Sequence, residues 1–180
     1  DLSKLQNEEA LEETKKALKS KACKIIYEGA FIFHDTLIRP DVLKRSKDGW
    51  ELWEAKAVKV EDETPENIKE IFIKDIAIQY YVVSSCDVNI TNTKLVCIDD
   101  KFIYQGDENY KNLIKEIDVT EVVKQKSKEV YQDIENFKPL ASTSTDCPDC
   151  PIGKQCNDPY PCIYIPGCEA ELEKNDLVDY

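Results

Sequence analysis

The sequence predicts an α/β (α+β) domain with a mixed central sheet flanked by helices, followed by a cysteine-rich C-terminal tail. Two observations predict it. Segments rich in Ile, Val, Tyr and Phe, which favour strands, alternate with segments that have the start signals or the periodicity of helices. Their order is helix, three strands, helix, two strands and helix, which is typical of a mixed sheet covered by helices.

The first half of the chain predicts one exposed helix and a meander of three strands. These elements are a helix over 4–20 and strands over 24–33, 37–44 and 50–60. The helix has only a weak apolar stripe among many charged residues, which favours an exposed position. His34-Asp35 and Asp48-Gly49 are turn dipeptides, so each pair of successive strands should form an antiparallel hairpin.

The second half predicts a helix, a hairpin and further helical structure. Thr64-Pro65-Glu66 predicts the start of a helix that runs to about Ser84. A hydroxyl cap, a proline at the first helical position and an acid near the positive helix end all favour initiation there. The later elements are a hairpin with strands over 94–98 and 102–105, helical structure over 108–137 with a break at 118–120, and a linker over 139–145.

We expect three parts in the chain, namely an N-terminal helix over 1–20, a core over 21–138, and a linker with a cysteine-rich tail over 139–180. The 180 residues include no Met, so we expect a piece of a longer protein whose further domains are partners. The apolar runs are far shorter than the about 20 residues of a membrane helix, so no membrane association is expected. With no secretion signal, the expected location is cytoplasmic.

The charge balance restricts the possible functions. The chain has 24 basic and 36 acidic residues, and its formal net charge is −12. This excludes a protein that coats DNA without sequence preference, since such binding depends on neutralising phosphates with Lys and Arg. The core is not basic either, so any basic groove for a nucleic acid is expected from a partner domain.

Carboxylates converge on one face of the predicted meander. With a two-residue turn in the second hairpin, Asp41 lies opposite Lys56, and Glu54 lies two residues away on the same face. With a two-residue turn in the first hairpin, Glu28 lies opposite Asp41. Oxygen-only ligands suit Mg²⁺ or Mn²⁺ rather than zinc, so one interpretation is a divalent-cation site. The other is a solvated ladder of ion pairs on an exposed sheet face.

The residues around these acids resemble motifs of the PD-(D/E)xK nuclease superfamily. Residues 37–41 read Leu-Ile-Arg-Pro-Asp, and Glu-Ala-Lys follows at 54–56. The second motif is similar to that of the RecB-type exonuclease branch. Asp75 and Gln79 on the next predicted helix resemble the glutamine motif of the same branch, although Val83 stands where that motif usually has a tyrosine.

The resemblance implies a restriction-endonuclease-like core and a divalent-metal-dependent nuclease that hydrolyses DNA (or RNA), exonuclease-like, in repair or defence. The residues it implies for the reaction are Asp41, Glu54, Lys56 and Gln79, and the predicted register adds Glu28 as a further acid. The three acids would bind Mg²⁺ or Mn²⁺ with help from the backbone carbonyl of Ala55. Lys56 would position water or stabilise charge, and Gln79 would orient Lys56 or the substrate.

Five cysteines crowd into 22 residues near the C-terminus. They are Cys147, Cys150, Cys156, Cys162 and Cys168. An odd cluster that opens with C-x-x-C favours metal or iron–sulfur ligation over disulfides. The tail resembles the [4Fe-4S] tails of CRISPR-associated and AddB nucleases and, somewhat more, the tails of uncharacterised bacterial RecB-like proteins. The resemblance implies a fourth ligand upstream of the core, and Cys23 is too close to it, so Zn at four tail thiolates is the alternative.

Two other functions stay open from the sequence. The first is a catalytically inactive nuclease-fold module that binds nucleic acid or a partner, with the cysteine site serving structure. The second is a zinc-stabilised protein-interaction domain, which chelators should unfold.

Overall fold

The computed structural model describes residues 1–60, 64–65, 68–106, 108–142, 151–158 and 160–172. The chain forms two compact units, which divide after Asn136. The first unit contains a five-stranded mixed sheet, helices and a separate two-stranded sheet. The predicted α/β (α+β) class with a mixed sheet is therefore confirmed. Among the described helices, none is long and apolar enough to cross a membrane.

The elements follow one another in a simple order. They are α1 (Asn7–Lys19), β1 (Ile25–Tyr27), β2 (Phe31–Phe33), β3 (Thr36–Ile38), β4 (Val42–Arg45), β5 (Trp50–Val60), α2 (Glu70–Ser85), β6 (Ile90–Asp99), β7 (Ile114–Asp118), α3 (Thr120–Ser142) and α4 (Ile165–Leu172). The main sheet has the order β1-β4-β5-β6-β7, while β2 and β3 pair with each other. Only the β5–β6 pairing in the sheet is parallel, and α2 forms the crossover between these two strands.

The apolar core lies against one face of this sheet. Its fully buried side chains come from the strands and from α2 and α3, and they include Leu43, Leu52, Leu95, Ile76, Val82, Val83 and Val123. Leu52 on β5 faces this core, whereas Trp53 faces the other side, where the ammonium groups of Lys44 and Lys94 lie 4.5 and 4.8 Å from its ring. Because side chains alternate along a strand, Glu54 lies on the core face with Leu52.

The first two predicted strands are each interrupted. Glu28 has a positive φ of 55°, which ends β1 before the chain continues into β2. Pro40, which has no N–H for a strand ladder, separates β3 from β4. The outer part of the meander therefore forms its own hairpin and packs on α2. Its turn is at His34-Asp35, as predicted, with both residues at positive φ.

The second hairpin has a longer loop than predicted. Arg45 pairs with Trp50, so the loop contains four residues rather than two. It docks on the chain that enters β6: Asn89 Nδ2 donates to Asp48 O at 2.7 Å, and a Cβ on Gly49 would lie 2.3 Å from Asn89 O. The predicted register is therefore wrong by two residues. The faces are unchanged, but Asp41 now lies opposite Glu54 and not opposite Lys56.

The start of α2 is later than predicted. Pro65 begins only a turn, which Ile68 N closes on Pro65 O at 3.3 Å. Lys69 then has an extended ψ of 127°, and the helix begins at Glu70. The burial of Ile68 explains the late helix start, since the chain enters the core at this residue before α2 begins. The observed helix end at Ser85 agrees with the prediction.

The predicted hairpin at Asp99-Asp100 is wrong. The partner of β6 is β7, so residues 102–105 are not a strand and residues 114–118 are not a helix. Leu95 and Ile117 pair across β6 and β7 and are both buried, whereas Ile103 is 75% exposed. Only the more distant strand brings an apolar side chain back to the core face.

The predictions for the C-terminal part are mixed. The helix α3 begins at Thr120, where a second helical segment was predicted, and the side chain of Asp118 accepts hydrogen bonds from its N–H and hydroxyl. It continues through Pro139 to Ser142, so the predicted linker does not begin at residue 139. In the second unit, a 3₁₀ turn at Lys154–Cys156 precedes α4.

Both arginines of the chain fasten the N-terminal segment to the sheet. The Arg39 guanidinium donates to the carbonyl oxygens of Leu2, Leu5 and Glu28. The Arg45 guanidinium does the same for Leu18, Ser20 and Cys23 and lies 4.1 Å from the Trp50 ring centre. Leu2 and Leu5 precede α1, whereas Leu18, Ser20 and Cys23 lie at its end and in the segment after it. The two planar guanidinium groups therefore hold the chain on both sides of this helix.

We therefore predict that Arg45→Lys lowers the free energy of unfolding by about 1–3 kcal/mol, because a lysine keeps the charge but cannot reach several carbonyls at once. Urea denaturation followed by far-ultraviolet circular dichroism measures this. The control is Lys47→Ala in the exposed loop, for which we expect a change within about 0.5 kcal/mol. An Arg45→Lys protein as stable as the wild type would contradict the prediction.

Candidate functional site

A closed ring of hydrogen bonds joins β5 to α2. Lys56 Nζ donates to Glu54 Oε1 at 2.8 Å and to Asp75 Oδ2 at 2.5 Å. Gln79 Nε2 donates to Glu54 Oε2 at 2.8 Å and to Asp75 Oδ1 at 3.3 Å. Each carboxylate thus accepts one bond from each donor. We call these four residues the polar ring.

Two sequence periods bring the polar ring together. Glu54 and Lys56 are two residues apart on a strand, so their side chains leave the same face of β5. Asp75 and Gln79 are four residues apart on a helix, so they lie one turn apart on the same side of α2. Because α2 crosses over this face of the sheet on its way to β6, the two pairs meet.

Asp41 lies next to the polar ring, immediately before the neighbouring strand β4. The β4–β5 register, continued by one residue, places Asp41 opposite Glu54. Its Oδ2 atom accepts a hydrogen bond from Ala55 N at 2.7 Å. This bond holds the Asp41 carboxylate against the backbone of β5, so two acids from adjacent strands are fixed side by side.

Burial dominates the electrostatics of Glu54. Its side chain is only 8% exposed, and burial raises the pKa of the Glu54 carboxyl above its usual 4.5. Hydrogen bonds from Lys56 and Gln79 act in the opposite direction, and the negative charge of Asp41 raises the pKa further. The net direction is upward, so the environment favours an added positive charge near Glu54.

Lys56 is held in its charged form. Burial alone would lower the pKa of its ammonium group, but the hydrogen bonds to Asp75 and Glu54, and the charges of these two acids, raise it above 10.5. The polar ring and Asp41 together contain three carboxylates and one ammonium group. Negative charge therefore remains in excess around a largely buried acid.

Gln79 has a buried hydrogen-bond acceptor that is not satisfied. Its side chain is 7% exposed, and in the described part of the chain its Oε1 atom has no hydrogen-bond partner. A buried acceptor without a partner is unfavourable, which is a reason to expect a donor or cation beside it. The amide is held by its Nε2 atom, so this acceptor is fixed within the same cluster as Glu54.

The donor set fits Mg²⁺ or Mn²⁺. Asp41 and Glu54 offer two carboxylates from adjacent strands, and Mg²⁺ in proteins is often bound by one or two carboxylates while it keeps several waters. Within the described ranges, no group of three or more His, Cys, Asp or Glu side chains is arranged to hold a metal ion. The structure thus places two carboxylates side by side at this position.

The structure places Glu28 differently from the other predicted acids. Its backbone N donates to Asp41 O at 3.1 Å, so the backbone pairing agrees with the predicted register. Its φ of 55° breaks the alternation of side chains, and its Oε2 atom lies 3.8 Å from Arg39 Nε. Glu28 thus forms an ion pair with Arg39, which fastens the N-terminal segment, and is not a member of the polar ring.

The cysteine tail is only partly described. Cys147 and Cys150 lie outside the described residues. Cys162 N donates to Cys156 O at 2.7 Å. Cys168 lies in α4, and its N donates to Tyr164 O at 3.2 Å. None of the three is in a metal-holding group of described residues. The iron–sulfur cluster and the zinc alternative both remain predictions.

Asp75 is the member of the polar ring for which the sequence predicts no role. The sequence identifies Asp75 as part of the glutamine motif, and its spacing of four residues from Gln79 places both on one side of α2. That Asp75 reaches Lys56 depends on how α2 packs on β5, which no local pattern specifies. The other ring members, Glu54, Lys56 and Gln79, are all residues that the sequence predicts for the site.

Comparison of the chain with protein-family models, with curated proteins and with solved structures found no match. The resemblance to PD-(D/E)xK nucleases therefore stays a prediction from the motifs. What the site can do must be argued from its own geometry.

We predict that Lys56 and Glu54 are strongly coupled. Lys56→Met should lower the free energy of unfolding by about 2 kcal/mol, because it leaves a buried carboxylate with one partner fewer. In the double variant with Glu54→Gln the cost of losing Lys56 should be smaller, since no charge is left unpaired at position 54. A double-mutant cycle by urea denaturation measures the coupling, and strictly additive effects would contradict it.

The raised pKa of Glu54 predicts a pH dependence. Folding raises this pKa, so between the unfolded and folded values the folded protein binds more protons, and ionisation of Glu54 opposes folding. The free energy of unfolding of the wild type minus that of Glu54→Gln should therefore fall as pH rises above 4.5, and then level off. Urea denaturation across this range tests it. A difference that increases with pH would show the opposite shift.

Proposed function

We propose that the protein is a divalent-metal-dependent nuclease that hydrolyses phosphodiester bonds of DNA. One observation supports this most directly: the buried Glu54 carboxylate lies beside Asp41, which accepts a hydrogen bond from Ala55 N, and itself accepts hydrogen bonds from Lys56 and Gln79. Two acids with excess negative charge, next to a charged lysine, can hold a divalent cation and a phosphate together.

The proposal gives each residue a distinct task. Asp41 and Glu54 would hold Mg²⁺ or Mn²⁺, with the carbonyl of Ala55 as the predicted backbone ligand. The cation, when bound, supplies positive charge to polarise a phosphoryl oxygen and to make water more acidic. Gln79 holds the second oxygen of Glu54 and thereby keeps the carboxylate in one orientation.

Lys56 would stabilise the negative charge that develops on the phosphate. An ammonium group has three N–H bonds, and two of them point to Glu54 and Asp75. The third is available to a phosphate oxygen or to a water molecule. A charged donor that is already oriented needs little reorganisation during the reaction, which is the usual source of such stabilisation.

The charge of the chain places a limit on substrate binding. The net charge is −12, and both arginines donate to backbone carbonyls at the N-terminal segment. Affinity for a polyanion would therefore depend on lysines or on further domains of a longer protein. An exonuclease-like action in repair or defence, in the cytoplasm, is the setting that the motif resemblance adds to this proposal.

The test is cleavage of end-labelled single- and double-stranded DNA, and of RNA, in Mn²⁺, Mg²⁺ or EDTA. We expect cleavage with either cation and none with EDTA. Glu54→Gln and Lys56→Met should each lower kcat/KM by about 10²–10³, the effect typical of losing one preorganised charged group. The matched controls Glu51→Gln and Lys94→Met change the same residue types on the opposite face of the sheet and should stay within about twofold.

The outcomes separate the proposal from its main alternative. Cleavage that is equally strong in EDTA or in Glu54→Gln would contradict the assigned site. A folded wild-type protein that binds DNA but does not cleave it with either cation would favour the catalytically inactive nuclease-fold module. Circular dichroism of every variant shows whether lost activity reflects lost folding.

A further inference from the structure

We propose that Asp75 is a positioning residue, which fixes the direction of the Lys56 ammonium group by holding it from α2 while Glu54 holds it from β5. The consequence for cleavage rests on the proposed function, whereas the positioning itself does not. Asp75 would contact neither the cation nor the phosphate. Its effect would reach the reaction only through Lys56 and Gln79.

The geometry supports this because a single hydrogen bond does not orient an ammonium group. A lysine side chain that is bonded only to Glu54 can still rotate about its terminal C–N bond and can adopt several rotamers. With a second bond, to Asp75 Oδ2 at 2.5 Å, two of its three N–H directions are fixed. The third is then fixed by the tetrahedral geometry of the nitrogen.

Asp75 also connects Lys56 with Gln79. Its Oδ1 atom accepts from Gln79 Nε2 at 3.3 Å, and the same Nε2 donates to Glu54 Oε2 at 2.8 Å. Removal of Asp75 therefore loosens both donors that hold Glu54. An asparagine at position 75 cannot repair this, since its single carboxamide oxygen can face one of the two donors and its NH₂ group would then face the other.

A purely structural explanation is weaker. The Asp75 side chain is 43% exposed, and ion pairs at such positions contribute little to stability, typically below about 1 kcal/mol. A partly exposed acid that completes a ring around a buried one is therefore placed where it affects geometry more than stability. This difference makes the inference testable with folded variants.

The experiment uses Asp75→Asn with Asp87→Asn as the matched control. Asp87 is exposed, lies two residues after the end of α2 and outside the polar ring, and its positive φ of 60° is one that Asn tolerates. The first readout is the ¹H–¹⁵N spectrum of lysine ammonium groups at low temperature, in which the Lys56 signal is the one absent from Lys56→Met. The second is the separation of kcat from KM for DNA cleavage.

We expect a Lys56 ammonium signal in the wild type and in Asp87→Asn, and its loss in Asp75→Asn, because an ammonium group that is not held exchanges its protons rapidly with water. We also expect Asp75→Asn to lower kcat at least about tenfold while KM changes by less than about twofold. Asp75→Glu, which keeps both acceptor oxygens, should recover part of kcat and of the signal.

Two results would overturn the inference. One is an Asp75→Asn protein that keeps the Lys56 signal or cleaves as fast as Asp87→Asn. The other is a wild-type spectrum in which Lys56 gives no signal, since the bonds would then not hold it in solution. If the wild type does not cleave but its Lys56 signal depends on Asp75, the proposed function fails while the positioning role stands.

Discussion

The structure around the candidate site depends on one constraint, which is the burial of the Glu54 carboxylate on the core face of the sheet. A buried charge is tolerated only where partners replace the water that it loses. Here the partners come from two elements, Lys56 from β5 and Gln79 from α2. The helix must therefore pack at one particular rotation on the strand, because a rotation of α2 would leave Glu54 without its amide donor. The polar ring thus constrains the rotation of α2 in addition to the apolar contacts around it.

The sequence predicts the elements whose signals are local and misses those decided by distant contacts. The strand over 50–60, the turn at His34-Asp35 and the helix start at Thr120 all depend on neighbouring residues, and all agree with the structure. The β4–β5 register does not, because Asn89 binds the loop from the entrance to β6. Similarly, β7 becomes a strand because it buries Ile117 beside β6, a reason that no pattern within residues 108–117 contains. In the site, Glu54 and Lys56 follow from a motif, whereas the contact of Asp75 with Lys56 is purely tertiary.

The chain uses its two kinds of cation differently. Both arginines fasten backbone carbonyls of the N-terminal segment, a task for which a planar group with several donors is suited. Lysines take the positions where one charge faces carboxylates, as Lys56 does in the polar ring and Lys94 does between Glu51 and Glu116. Acidic residues still outnumber basic ones, 36 to 24, so under the proposed function the contacts with nucleic acid would come largely from elsewhere.

The short connection from β5 to α2 has a consequence for how the site assembles. Asp41 and the polar ring all come from residues 41–79, and the bond between Lys56 and Asp75 closes a loop of only 19 residues. Loops of this length lose little entropy on closure, so contacts within them form rapidly and do not wait for distant parts of the chain. During synthesis, this stretch leaves the ribosome well before the cysteine tail. The residues of the acidic centre are therefore all synthesised, and able to meet, before the thiol-rich end of the protein exists.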